Sequence, residues 1–128
     1  MAKLRHIAIA VPDIQATARF YEASFGMQRV RESNVAVMLS DGVVSLAVID
    51  SNKNPNADNR AGLHHMGFLV DDLPTSATSV EQNGGKYHSQ IKGVGDGPQS
   101  ERKYRDPNGI DFDIVNTDHA TRVWCIPA

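Results

Sequence analysis

Leu63–Leu73 reads LHHMGFLVDDL, and Leu4–Ile14 reads LRHIAIAVPDI. One echoes the other at an offset of 59 positions: Leu4 falls on Leu63, His6 on His65, Val11 on Val70, Asp13 on Asp72 and Ile14 on Leu73. The same offset carries Glu22 onto Glu81 and Gly26 onto Gly85. A period near half the chain length is the mark of two copies of one supersecondary unit. Strands that lead into helices share apolar patterns by chance. Chance gives no reason for a histidine, an aspartate and a glycine to match as well.

Around the first copy, Lys3 to Val11 reads as a strand with Ile7, Ile9 and Val11 on one face and His6, Ala8 and Ala10 on the other. Pro12-Asp13 opens a helix in which Ile14, Ala18, Tyr21 and Phe25 recur at helical spacing, and Gly26 stops it. Three strands follow, Met27 to Arg31, Val35 to Ser40 and Val43 to Ile49, with an Asp41-Gly42 hairpin signal between the last two. Asp50 to Gly62 is polar and aperiodic and reads as a linker.

The order then repeats. Leu63 to Val70 is a strand, Leu73 to Gln82 a helix and Lys86 to Ile91 a strand. Gly93 to Pro98 (GVGDGP) is a loop that could form a lip. Glu101 to Arg105 and Ile110 to Val115 form a hairpin across Asp106-Pro107-Asn108-Gly109. The expected fold class is α+β, with two βαβββ modules (about residues 3–50 and 63–116, linker 51–62) forming a curved mixed sheet around a cavity. Residues 1–116 are read as one domain, and 117–128 as a C-terminal tail that either docks or stays free.

The chain has 128 residues, a net charge of −2 and one cysteine, Cys125. That size suits one domain with its own core. The charge gives no basic footprint for nucleic acid, and a lone cysteine allows no internal disulfide. MAKLRHIAIAVPD holds too short an apolar run for a signal peptide, and no stretch approaches the ~20 apolar residues of a membrane span, so a cytoplasmic protein without membrane partners is expected.

The paired βαβββ units, the HIAIAVPD and HMGFLVDDL strand-to-helix starts, and KYRDPNGIDFDIV near the end resemble the vicinal oxygen chelate superfamily. That group includes glyoxalase I, methylmalonyl-CoA epimerase, extradiol dioxygenases, and bleomycin and fosfomycin resistance proteins. The resemblance covers the chain up to about Val115. It implies a cavity in which the first strand of each module supplies one histidine ligand to a divalent ion, which points to His6 and His65. It also implies a carboxylate four residues after the glycine of the DP-G pattern, which is Asp113 after Gly109. A fourth ligand would come from Val43 to Ile49, where the one side-chain oxygen belongs to Ser45. This departs from the family pattern.

Two neutral imidazoles and a carboxylate can fix a divalent ion (Fe, Mn, Zn, Ni or Co) and leave positions open for a chelating substrate. Alternation puts His65 with Gly67, and small residues beside an inward histidine leave room for a ligand. The same alternation puts His64 on the opposite face, outside the site. Ordinary hydrogen-bonded histidines under a sheet are the competing reading. Asp111 shares a face with Asp113 and is its backup. Asp113 could also serve as base, and Tyr104 as an acid or hydrogen-bond donor. Arg102, Lys103 and Arg105 form a basic cluster suited to an anionic substrate. His119 lies in the tail, with nothing to place it.

Three functions remain open. The first is a metal-dependent lyase or isomerase of glyoxalase or epimerase type, acting on a small oxygenated substrate. The second is an Fe(II) extradiol-type dioxygenase on a 2-His-1-carboxylate site. The third is a metal-free binding protein like the bleomycin-resistance members. The resemblance also implies a homodimer.

Overall fold

A computed structural model describes residues 1–89 and 99–127. The GVGDGP loop and the end of the strand expected to reach Ile91 lie outside the described residues. The elements run β1 (Lys3–Val11), α1 (Ile14–Phe25), β2 (Gln28–Glu32), β3 (Ala36–Ser40), β4 (Ser45–Asp50), β5 (Gly62–Leu69), α2 (Leu73–Gln82), β6 (Lys86–Ser89), β7 (Glu101–Arg105), β8 (Asp111–Val115) and α3 (Thr117–Arg122). The eight strands form one mixed sheet in the order β2-β3-β4-β1-β5-β8-β7-β6. The expected α+β architecture of paired βαβββ modules in a curved sheet is therefore present.

Each module pairs its first and last strands in parallel, β1 with β4 and β5 with β8. The modules join where β1 and β5 run antiparallel. The repeated aspartates start the helices: Asp13 accepts from the Ala16 N–H at 3.0 Å and Asp72 from the Thr75 N–H at 3.1 Å. Each satisfies an N–H that the first helical turn leaves open. Gly26 ends α1 in the left-handed conformation, with φ 69°.

The helices α1 and α2 cover one side of the sheet. Ile14 and Ala18 pack on Val37, Leu39 and Val48, while Leu73 and Ala77 pack on Val70, Tyr104 and Ile114. On the other side, Ala8, Ala10, Ala47 and Ile49 cluster with Ala57 from the linker. The tail docks on this inner side. Asn116 caps α3 through the His119 N–H at 2.9 Å. Ala120, Val123, Trp124 and Ile126 then bury against Leu69 and Val115. No helix among the described residues is long and apolar enough to cross a membrane.

Candidate metal centre

The inner face brings His6, His65 and Asp113 together. Each offers one ligand atom, and the three atoms lie within 4.8 Å of one another. The strand pairing explains the convergence. His6 of β1 lies opposite Gly67 of β5, two residues on from His65, and Gly67 in turn lies opposite Asp113 of β8. Three neighbouring strands thus aim three side chains at one point.

The hydrogen bonds around the imidazoles set their tautomers. His64 Nε2 lies 3.1 Å from the Ala57 carbonyl oxygen. A carbonyl only accepts, so that nitrogen carries the proton and His64 Nδ1 is the acceptor. His64 Nδ1 lies 2.7 Å from His65 Nδ1, which must then donate. His65 Nε2 lies 3.2 Å from Asp113 Oδ2, within ion-pair distance. In the first module the Ser45 hydroxyl donates to Met38 Sδ at 2.9 Å. Its oxygen is therefore free to accept from His6 Nδ1 at 3.0 Å, which leaves Nε2 bare. The His6 ring stacks on Trp124 with centroids 4.5 Å apart and planes within 5°.

Burial keeps His6 neutral, with His65 beside it adding to the effect, and pulls its pKa down from 6.5 to about 3. His64 is also lowered, by burial and by His65. Burial alone would raise Asp113, but His65, Lys103 and His6 outweigh it and hold the carboxyl well below the usual range. Asp113 Oδ2 is buried and, despite its 3.2 Å approach to His65, has no hydrogen bond of acceptable geometry. His65 Nε2 and Asp113 Oδ2 thus face each other across a gap that a proton or a cation can bridge. Two imidazoles and a buried carboxylate oxygen without a hydrogen bond are a donor set that fits a divalent ion.

Two site residues were missed by strict alternation. The β1–β5 register shifts between Ala8 (opposite His65) and Ile9 (opposite Leu63), so His64 is the extra residue of a β-bulge. The bulge turns its ring onto His65 rather than away from the site. Lys103 leaves the expected basic cluster: its side chain is buried and Nζ lies 3.0 Å from Asp113 Oδ1. The hairpin pairing, with Lys103 opposite Asp113, was the signal that could have found it.

Three other expectations are corrected. Tyr104 points to the α2 side, where its hydroxyl donates to Glu81 Oε2 at 2.8 Å, so it does not reach the group. Asp111 stands apart in ion pairs with Arg60 at 2.9 Å and Arg105 at 3.1 Å. Arg102 interacts with Tyr104 on the outer side, so the basic cluster is split between two faces. His119 is buried edge-on against Trp124, with ring centroids 5.9 Å apart.

A cavity of about 100 Å³ opens beside the group, lined by His6, Met38, Ala47, His65, Lys103 and Trp124 among others. Trp124 enters because position 67 is glycine: a Cβ there would lie 2.7 Å from its ring. An outer groove of about 420 Å³, lined by Leu4, Ile7, Arg60, Leu63, Met66 and Ile110, also reaches His65.

Comparison with known proteins adds a lineage. The family model for the Glyoxalase/Bleomycin resistance protein/Dioxygenase superfamily matches residues 3–114. A probable chloroplastic lactoylglutathione lyase from Arabidopsis thaliana is 27% identical over 133 aligned residues, which take in 96% of this chain. The chain spans only 38% of that relative's length. Among solved structures, a hypothetical protein from Bacillus halodurans C-125 superposes with a TM-score of 0.70 at 19% identity, covering 90% of this chain and 94% of that one. A Streptomyces coelicolor methylmalonyl-CoA epimerase variant in complex with 2-nitronate-propionyl-CoA gives 0.63 at 26% identity, with 89% and 96% covered. The epimerase from Mycobacterium tuberculosis gives 0.65 at 21%, with 88% and 86% covered.

Proposed function

The chain belongs to the Glyoxalase/Bleomycin resistance protein/Dioxygenase superfamily, and on that footing we propose that it is a metal-dependent lyase or isomerase that moves a proton next to a carbonyl of a small oxygenated substrate. His6 and His65 would hold the ion through Nε2, and Asp113 through Oδ2. The observation that carries this reading is the convergence of His6, His65 and Asp113, with ligand atoms within 4.8 Å of one another and Asp113 Oδ2 buried without a hydrogen bond. A divalent ion bound there would polarise the substrate carbonyl and stabilise the enolate that forms on deprotonation.

The chain's own groups divide the remaining work. Asp113 is the proton acceptor in this reading, through Oδ1, since Oδ2 is assigned to the ion. Held well below the usual carboxylate range, it is a weak base and works only on a strongly acidified C–H. Met38, Ala47, Ile49 and Trp124 give the chamber one apolar wall. Its volume of about 100 Å³ sits below the range of ~300–1,000 Å³ usual for drug-sized ligands. The reacting end of the substrate is therefore only a few atoms across. The outer groove of about 420 Å³ also reaches His65. The exposed Leu4, Leu63 and Ile110 along that groove support a homodimer, which light scattering tests as twice the 14.0 kDa chain mass.

The deciding experiment is elemental analysis of untagged protein with His65→Ala as control, followed by solvent-deuterium incorporation into a 2-oxoaldehyde thiol adduct and a 2-substituted acyl thioester. Near-stoichiometric zinc, nickel, cobalt or manganese, lost in the variant, together with deuterium uptake is the expected result. No metal after reconstitution would overturn it. One observation favours a second reading. Ser45 is committed to His6 and Met38, which leaves a two-histidine, one-carboxylate set of the kind that Fe(II) dioxygenases use. Stoichiometric iron and ring cleavage of a catechol would identify that chemistry instead.

A further inference from the structure

Among the described residues of the polar cluster, Lys103 is a member that the proposed metal chemistry does not use. Its side chain is 8% exposed, and Asp113 is fully buried beside it. An ammonium and a carboxylate in such a place stay charged only because each compensates the other. With Nζ 3.0 Å from Oδ1, the ammonium and the carboxylate cancel as a pair. A divalent ion arriving at Asp113 Oδ2 meets a carboxylate already neutralised through Oδ1. It also meets a like charge on the far side of one carboxyl group, in a low-dielectric pocket where repulsion is poorly screened.

Resting on the metal reading above, we infer that Lys103 is an internal cation that competes with the divalent ion for Asp113. The metal-free protein is a charge-balanced state held by Lys103. Ion binding shifts Asp113 from ammonium to metal. Lysine suits an exchangeable role, since its charge sits on a flexible stem with three rotatable donors. Lys103 also borders the cavity beside His6 and His65, so the ammonium has space to turn into. Charge count is a main control on cation affinity. The native site therefore binds its ion less tightly than the same site without Lys103 would, and favours strong Lewis acids over magnesium or calcium.

The test uses the full chain, stripped of metal, with Lys103→Met and Lys103→Gln; the second keeps a neutral donor for Oδ1 should the first fail to fold. Cobalt(II) is titrated at neutral pH, followed by visible absorption and calorimetry, and thermal unfolding is recorded with and without cobalt. Both variants are expected to bind cobalt at least tenfold more tightly than wild type. They are also expected to melt below wild type when metal-free, with the gap closing at saturating cobalt. Equal or weaker cobalt binding by the variants, with wild type binding normally, would overturn the exchange and leave the metal reading standing. No cobalt binding by wild type or either variant would overturn the metal reading, and this inference with it.

Discussion

The two modules copy one another in sequence but contribute unlike halves to the centre. The first supplies one imidazole, His6, set among Ala8, Ala10, Ala47 and Ile49 and held by a hydroxyl and an indole. The second supplies His65, its orienting His64, the carboxylate and the ammonium. Strand register shows the same inequality. Two residues on from each histidine, Gly67 faces Asp113, whereas Ala8 faces Ala47. A duplicated frame can thus place one apolar wall and one charged wall around the same point. The histidine positions stay common to both, while the chemistry of the last strand diverges.

Perturbing each half tests that inequality. Asp113→Asn leaves the Lys103 ammonium buried without a counterion, and is expected to lower the unfolding free energy by about 3–5 kcal/mol in urea titrations. A loss below about 1 kcal/mol would mean that the charged half carries no special weight. Gly67→Ala drives a methyl against the Trp124 ring and should cost about 1–3 kcal/mol through overpacking. Wild-type stability there would show that the indole does not need the glycine.

Acidity probes the apolar half. His6 takes a proton near pH 6.5 when unfolded but only near 3 when folded, so the unfolded chain binds the extra proton in between. Its contribution is complete above 6.5 and is lost as pH falls towards 3, at up to about 1.4 kcal/mol per pH unit. Asp113, lowered in the folded state, adds a further loss below the ordinary carboxylate range. Urea midpoints of metal-free protein should therefore fall from about pH 7 to about pH 5, and His6→Gln should flatten that fall. A midpoint constant with pH in wild type would mean the ring is not held neutral. Ser45→Ala is the mildest change, at about 1 kcal/mol for one buried hydrogen bond. A cost equal to that of Asp113→Asn would erase the contrast between the halves.

Much of this was legible in the residues. Alternation in HIAIAV put His6 on the face of Ala8 and Ala10, and the repeat placed His65 beside it. The aspartate caps and the DPNG turn marked where helices and hairpin begin. What escaped was non-local. A bulge adds a residue without a composition signal, so His64 was assigned to the wrong face. Tyr104 was misplaced because a strand's period says which residues share a face but not which face meets the helix. Lys103 was hidden inside a run of charges whose members alternate sides. The tail's docking depends on space left by a glycine 57 positions earlier, which no local pattern encodes.

Trp124 is the chain's single tryptophan, and its ring lies flat on a prospective metal ligand. The protein therefore carries an optical reporter inside its own chamber. Emission from that one indole senses the charge state of His6, the arrival of an ion or small molecule beside it, and the release of the tail. Titrations of all three can be read without a label.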